Sequence, residues 1–170
     1  YVVTRISHNT VPIWLHEGLA KFEERRWRGP SGGGLTPVME HLLASGLAHK
    51  HLITFAEMHP SMAKLPSQED TALAFAEVYT VVDYLHEKDG WAGLRALVAR
   101  FADAKPPDPS EFEAAWRTWL RGKKLRMHPG LLPAESELRF KKGACKPTEA
   151  RQDDSARIGE ERLRKFARLG

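Results

Sequence analysis

In this 170-residue chain, chemistry is most readily sought where histidine stands beside glutamate. A His-Glu-x-x-His helix sets two imidazoles four residues apart on one face to bind Zn²⁺, and the glutamate between them activates a water. Such pairs occur twice, as His16-Glu17-Gly18-Leu19-Ala20 and His86-Glu87-Lys88-Asp89-Gly90, and neither reaches a second histidine. The other histidines, at 8, 41, 49, 51, 59 and 128, are not followed by glutamate. His49 and His51 lie one residue apart on an expected loop and read as ordinary surface side chains. The lone Cys145 excludes an internal disulfide framework and a multi-cysteine zinc cage.

Glu17 carries a more specific signal. On a helical wheel Val11, Leu15, Leu19 and Phe22 fall together as the expected core stripe. Glu17 lies about 160° from that stripe at 100° per residue, beside Ile13 and Ala20, with Trp14 and Gly18 next to them. The helix is thus apolar on two sides, with a carboxylate in the second. A carboxylate facing apolar surface is paired, protonated or metal-bound, because burying the bare charge costs several kcal/mol. An ion pair with Lys21 or a distant arginine, or plain exposure, are the competing readings. Gly18 is expected where a backbone or a ligand comes close.

The wording around Glu17 narrows the choice. Val11-Pro12-Ile13-Trp14-Leu15-His16-Glu17-Gly18-Leu19-Ala20-Lys21-Phe22-Glu23-Glu24 resembles the second signature of gluzincin-type zinc metallopeptidases, in particular the bacterial peptidase-MA-like group. In that group a Pro-x-Trp-Leu-x-Glu-Gly-Leu-Ala helix supplies a glutamate as third zinc ligand, which the resemblance assigns to Glu17. Leu52–Met58, Ala76–Leu97 and Phe112–Leu120 are similar, in order, to later segments of the group, so the resemblance covers residues 1–121. By the same resemblance Tyr79 is the candidate to donate a hydrogen bond to an oxyanion; a core ring with its hydroxyl at the edge is the competing reading.

The resemblance implies Zn²⁺ as cofactor in the complete domain, a peptide or protein substrate, and action in the bacterial cell envelope or periplasm. The group's His-Glu-x-x-His would stand just before Tyr1, which makes Tyr1–Ser7 the tail of that helix, whereas β-branched propensity alone reads it as a strand. One carboxylate does not hold Zn²⁺ specifically, so these residues alone are expected to be inactive and to bind zinc weakly. A non-catalytic helical scaffold derived from such a domain is the alternative.

The elements that must position these groups are helices, and the expected fold class is predominantly α. Asn9 and Thr10 are cap-type residues before Pro12, which starts a helix running to about Arg28, ended by the Gly-Pro-Ser-Gly-Gly-Gly run at 29–34. Thr36 with Pro37 opens a second helix to about Leu47, and Ser67 caps a long one that Gly90 stops near Asp89. Trp91–Ala104 is helical by composition. Ser110 with Glu113 reads as a capping box for a helix to Arg121, with Phe112, Trp116, Trp119 and Leu120 along one side. The tryptophans at 14, 27, 91, 116 and 119 read as core.

The chain is long enough for one sizeable core, and no apolar run approaches the ~18 residues of a membrane span. Residues 1–121 form the expected peptidase-like domain, 122–156 a Pro- and Gly-rich linker, and 157–170 a terminal helix. The resemblance suggests the start of a tetratricopeptide array there, a surface for protein partners. Residues 1–116 hold 11 Lys/Arg against 15 Asp/Glu, a net of −4, and 117–170 hold 15 against 7, a net of +8. Acidic residues interrupt that basic tail and its aromatics are few, which disfavours nucleic-acid binding.

Overall fold

The computed structural model describes residues 2–27 and 33–131. The expected helix at 157–170, the linker beyond 131, Cys145 and the Trp27 side chain lie outside the described residues. Among the described residues five helices follow in order: α1 (Val2–Ser7), α2 (Ile13–Trp27), α3 (Pro37–Ala48), α4 (Gln68–Arg100) and α5 (Pro109–Arg121), with a 3₁₀ turn at Met62–Lys64. No strand occurs among the described residues, and no helix there is long and apolar enough to cross a membrane.

α4 is the centre, and the four other helices all pack on it. Its buried run is nearly continuous from Ala76 to Val82, because neighbours surround it. Gly90 interrupts it with φ 63° and ψ −169°, so the helix bends there and resumes at Trp91. Only glycine takes that conformation without a Cβ clash. The expected stop at Gly90 is therefore a sharp joint between two helical segments.

Local signals decide most helix starts. The Thr36 hydroxyl accepts from Met39 N (3.1 Å) and the Ser67 hydroxyl from Asp70 N (2.9 Å), as cap residues do. Two expectations change. α5 is capped by Asp108, whose carboxylate accepts from Ser110 N (2.9 Å), with Pro109 in the first turn. Glu113 makes no capping box with Ser110 because its carboxylate is taken by Phe55 N (3.3 Å) and Arg117. A reciprocal box forms instead at Thr54 and Glu57: Thr54 N donates to Glu57 Oε2 (2.7 Å) and Glu57 N to Thr54 Oγ1 (3.2 Å).

Asn9 and Thr10 likewise finish α1 rather than begin α2. His8 and Asn9 adopt positive φ, Asn9 N donates to Thr4 O, and the Thr10 hydroxyl donates to Ser7 O. Residues 2–7 are helical, as the resemblance implies and against their β-branched propensity.

The core is built from Trp14, Leu15 and Phe22 of α2, Leu42 and Leu43 of α3, the α4 run, and Trp116 and Leu120 of α5. α2 is turned relative to the expected stripe. Trp14, Leu15, Gly18 and Phe22 are buried, whereas Val11 and Leu19 are half-buried. The indole buries more apolar area than a valine, and Gly18 lets α4 come close on that side. Trp91 corrects the all-core reading of the tryptophans: it is 42% exposed, beside Phe22 and His86 at the Gly90 bend.

Candidate functional site

Glu17 projects from α2 with 34% of its side chain exposed. Its surroundings are more open than the wheel implied, since Ile13 is half-buried and Ala20 is exposed. Lys21 does not pair with Glu17; that ammonium meets Glu24 at 2.8 Å. His16 Nδ1 lies 3.8 Å from Glu17 Oε1, too far for a hydrogen bond.

What fixes α2 beneath Glu17 is the next residue. A Cβ built on Gly18 would sit 2.6 Å from the Val78 carbonyl oxygen and 2.8 Å from Val82 Cγ2. The close approach expected at Gly18 is therefore to the backbone of α4. Tyr79 follows Val78 at this crossing. Its ring is buried against Phe22 (5.5 Å), and its hydroxyl accepts from Gly34 N (2.8 Å). The crossing thus brings residues adjacent to Glu17 and to Tyr79 into contact.

Four other histidines take partners away from Glu17. His51 Nε2 bonds Asp70 Oδ1 (2.8 Å), and this bond holds the Asp70 carboxyl below its ordinary range. His49 Nδ1 turns to Ser45 O (2.9 Å). His128 Nε2 meets Glu40 Oε2 (2.7 Å) while His128 N donates to His41 Nδ1 (2.9 Å), fastening the chain after α5 to α3.

The sequence reading passed over Glu77. This side chain is completely buried in α4, its Oε1 accepting from Ile53 N (3.0 Å) and its Oε2 without a partner among the described residues. Burial drives its carboxyl well above the ordinary range; Ile53 N–H and Arg117 pull the other way, and Glu113 and Glu57 add to the rise. Glu77 therefore keeps its proton to higher pH than an exposed glutamate does. Arg117 closes this polar cluster, bonding Glu113 Oε1 (2.8 Å) and the Ile53 carbonyl (3.2 Å). The signal for it was present: a glutamate in the run Ala74–Val82, whose other residues are apolar apart from Tyr79 and Thr80.

Among the described residues no three His, Cys, Asp or Glu side chains are grouped to hold a metal ion. Glu17 fits as one oxygen donor of a larger set: it is ionisable, partly exposed, and carried on a helix locked to its neighbour. The family sequence model described as Peptidase MA superfamily matches residues 2–122, a range that holds α1 to α5. The chain belongs to the Peptidase MA superfamily. Neither the curated proteins nor the solved structures compared with it give a match.

Proposed function

We propose that this chain is the helical part of a zinc-dependent peptidase domain in which Glu17 is the carboxylate ligand. The family match over residues 2–122 carries the reading. It is supported by the placement of Glu17, partly exposed on a helix fixed against α4 by the Gly18 crossing. A zinc ion in such a centre supplies an activated water to attack the peptide carbonyl. Two imidazole ligands and the base would come from a His-Glu-x-x-His segment, which the 170 residues do not contain. Tyr79 is proposed as a hydrogen-bond donor to the oxyanion, its hydroxyl held by Gly34 N beside the helix crossing that carries Glu17.

The test begins with the codons upstream of Tyr1 in the natural gene. An intact His-Glu-x-x-His there, with casein hydrolysis by the encoded polypeptide that is lost on chelation and in Glu17→Gln, supports the reading. A substituted motif overturns it in favour of a non-catalytic scaffold, and a Glu17→Gln variant with full zinc content overturns the assignment of Glu17 as ligand.

A further inference from the structure

We propose that Trp14 is a positioning residue for the Glu17 carboxylate, an inference that rests on the zinc-ligand reading above. Trp14 stands three residues before Glu17 on α2 and is 1% exposed. Its indole stacks on Phe55 with ring centroids 4.4 Å apart and planes at 14°, meets Phe101 edge-on at 6.4 Å, and lies 6.1 Å from Phe112. Three rings from three different parts of the chain thus hold one indole. Its Nε1 has no hydrogen-bond partner among the described residues. Packing, not a hydrogen bond, therefore sets its direction.

The ring on which Trp14 stacks is itself fixed. Phe55 N donates to Glu113 Oε2 (3.3 Å), and Glu113 is gripped by Arg117 from one turn further along α5. Phe55 also meets Trp116 at 6.0 Å, and Trp116 Nε1 donates to Thr80 Oγ1 (3.0 Å) on α4. α4 and α5 thus act on α2 through the 14–55 stack.

Position 17 lies between two constraints of different kinds. Gly18 sets how near α2 lies to α4, while Trp14 sets how α2 is turned about its own axis. Rotation is what a metal ligand feels most. A side chain tip lies about 5–6 Å from a helix axis, so a turn of about 20° carries it about 2 Å. Ligand distances at a metal site tolerate only about 0.2 Å. A carboxylate on a helix free to turn would be present but misdirected.

The experiment uses the natural polypeptide that carries the domain and measures its zinc dissociation constant by competition with a chromogenic chelator, alongside the thermal midpoint. Four variants are compared: Glu17→Gln, Trp14→Leu, Trp14→Phe, and Leu43→Ala, a fully buried change on α3. Loss of a supporting contact around a metal ligand typically weakens binding 10–100-fold. Trp14→Leu is expected to weaken zinc about tenfold or more, Trp14→Phe to recover most of that by keeping a stack on Phe55, and Leu43→Ala to lower the midpoint with zinc affinity unchanged. If Trp14→Leu affects zinc no more than Leu43→Ala while Glu17→Gln abolishes tight binding, the positioning role of Trp14 is refuted and the ligand assignment stands. If Glu17→Gln leaves zinc binding intact, the ligand assignment fails and the inference fails with it.

Discussion

Replacing Glu77 separates two contributions that the structure combines in one side chain. Glu77→Ala removes the acceptor of the buried Ile53 N–H, worth about 1–3 kcal/mol when left unpaired. It also opens a cavity between α4 and the 52–55 segment, and truncations of fully buried side chains to alanine cost about 2–5 kcal/mol in all. About 3 kcal/mol of lost stability is therefore expected, a large part of what a domain this size has. Glu77→Gln keeps the acceptor and cannot ionise. It adds amide N–H groups where Oε2 has no partner, so it should begin somewhat below wild type at acid pH. The diagnostic is the trend with pH. Burial raises the folded-state carboxyl well above its unfolded value, so the neutral acid's stabilising contribution is complete below the unfolded value. It is lost as pH climbs toward the raised folded value, because the unfolded chain releases its proton first. Glutamine has no such loss. Urea unfolding of wild type, Glu77→Gln and Glu77→Ala from pH 4 to 9 should show the glutamine variant gaining on wild type as pH rises. A wild-type-minus-glutamine difference that stays flat across this range would refute the raised carboxyl. An alanine variant within about 1 kcal/mol of wild type would refute the structural role of the Ile53 bond.

Other expectations follow from single contacts. Gly18→Ala forces a methyl to 2.6 Å from the Val78 carbonyl and should destabilise by about 1–3 kcal/mol or more, read as a lower urea midpoint; an unchanged midpoint would mean that α2 and α4 are further apart. Asp108→Ala should lower the melting temperature while Ser110→Ala leaves it nearly unchanged, since Asp108 caps α5. The Ser110 N–H bond holds the Asp108 carboxyl below its ordinary range, so the cap's contribution should fade as pH falls through that lowered value, and equal melting of the Asp108 variant and wild type at neutral pH would count against it. The purified 170-residue chain should retain far less than one equivalent of zinc by elemental analysis after dialysis and should not cleave casein; zinc-dependent cleavage by it would overturn the single-ligand reading.

Much of the helical framework follows from residues acting on their own neighbours. Thr36, Ser67, Pro37 and Gly90 act within one turn of where they stand, so their cap and break signals could be read before any tertiary contact was known. Ser110 misled because Asp108-Pro109 offered a better cap two residues earlier, while Phe55, 58 positions away, took the Glu113 carboxylate. Residues 2–7 misled on propensity in the same way, their β-branched side chains being accommodated in a helix that packs on α4.

The carboxylates mark the division most clearly. Sequence by itself determined that the chain is helical, where most helices begin and end, and that Glu17 sits in a motif like that of a peptidase helix. Only the tertiary structure decided which acid is buried: Glu17 stands partly in solvent, and Glu77 is sealed beneath Ile53. A helix's period states which residues share a face, a property of adjacent positions. What that face meets is set by segments dozens of residues away, and solvation, which governs whether a carboxyl group keeps its charge, depends on those distant partners.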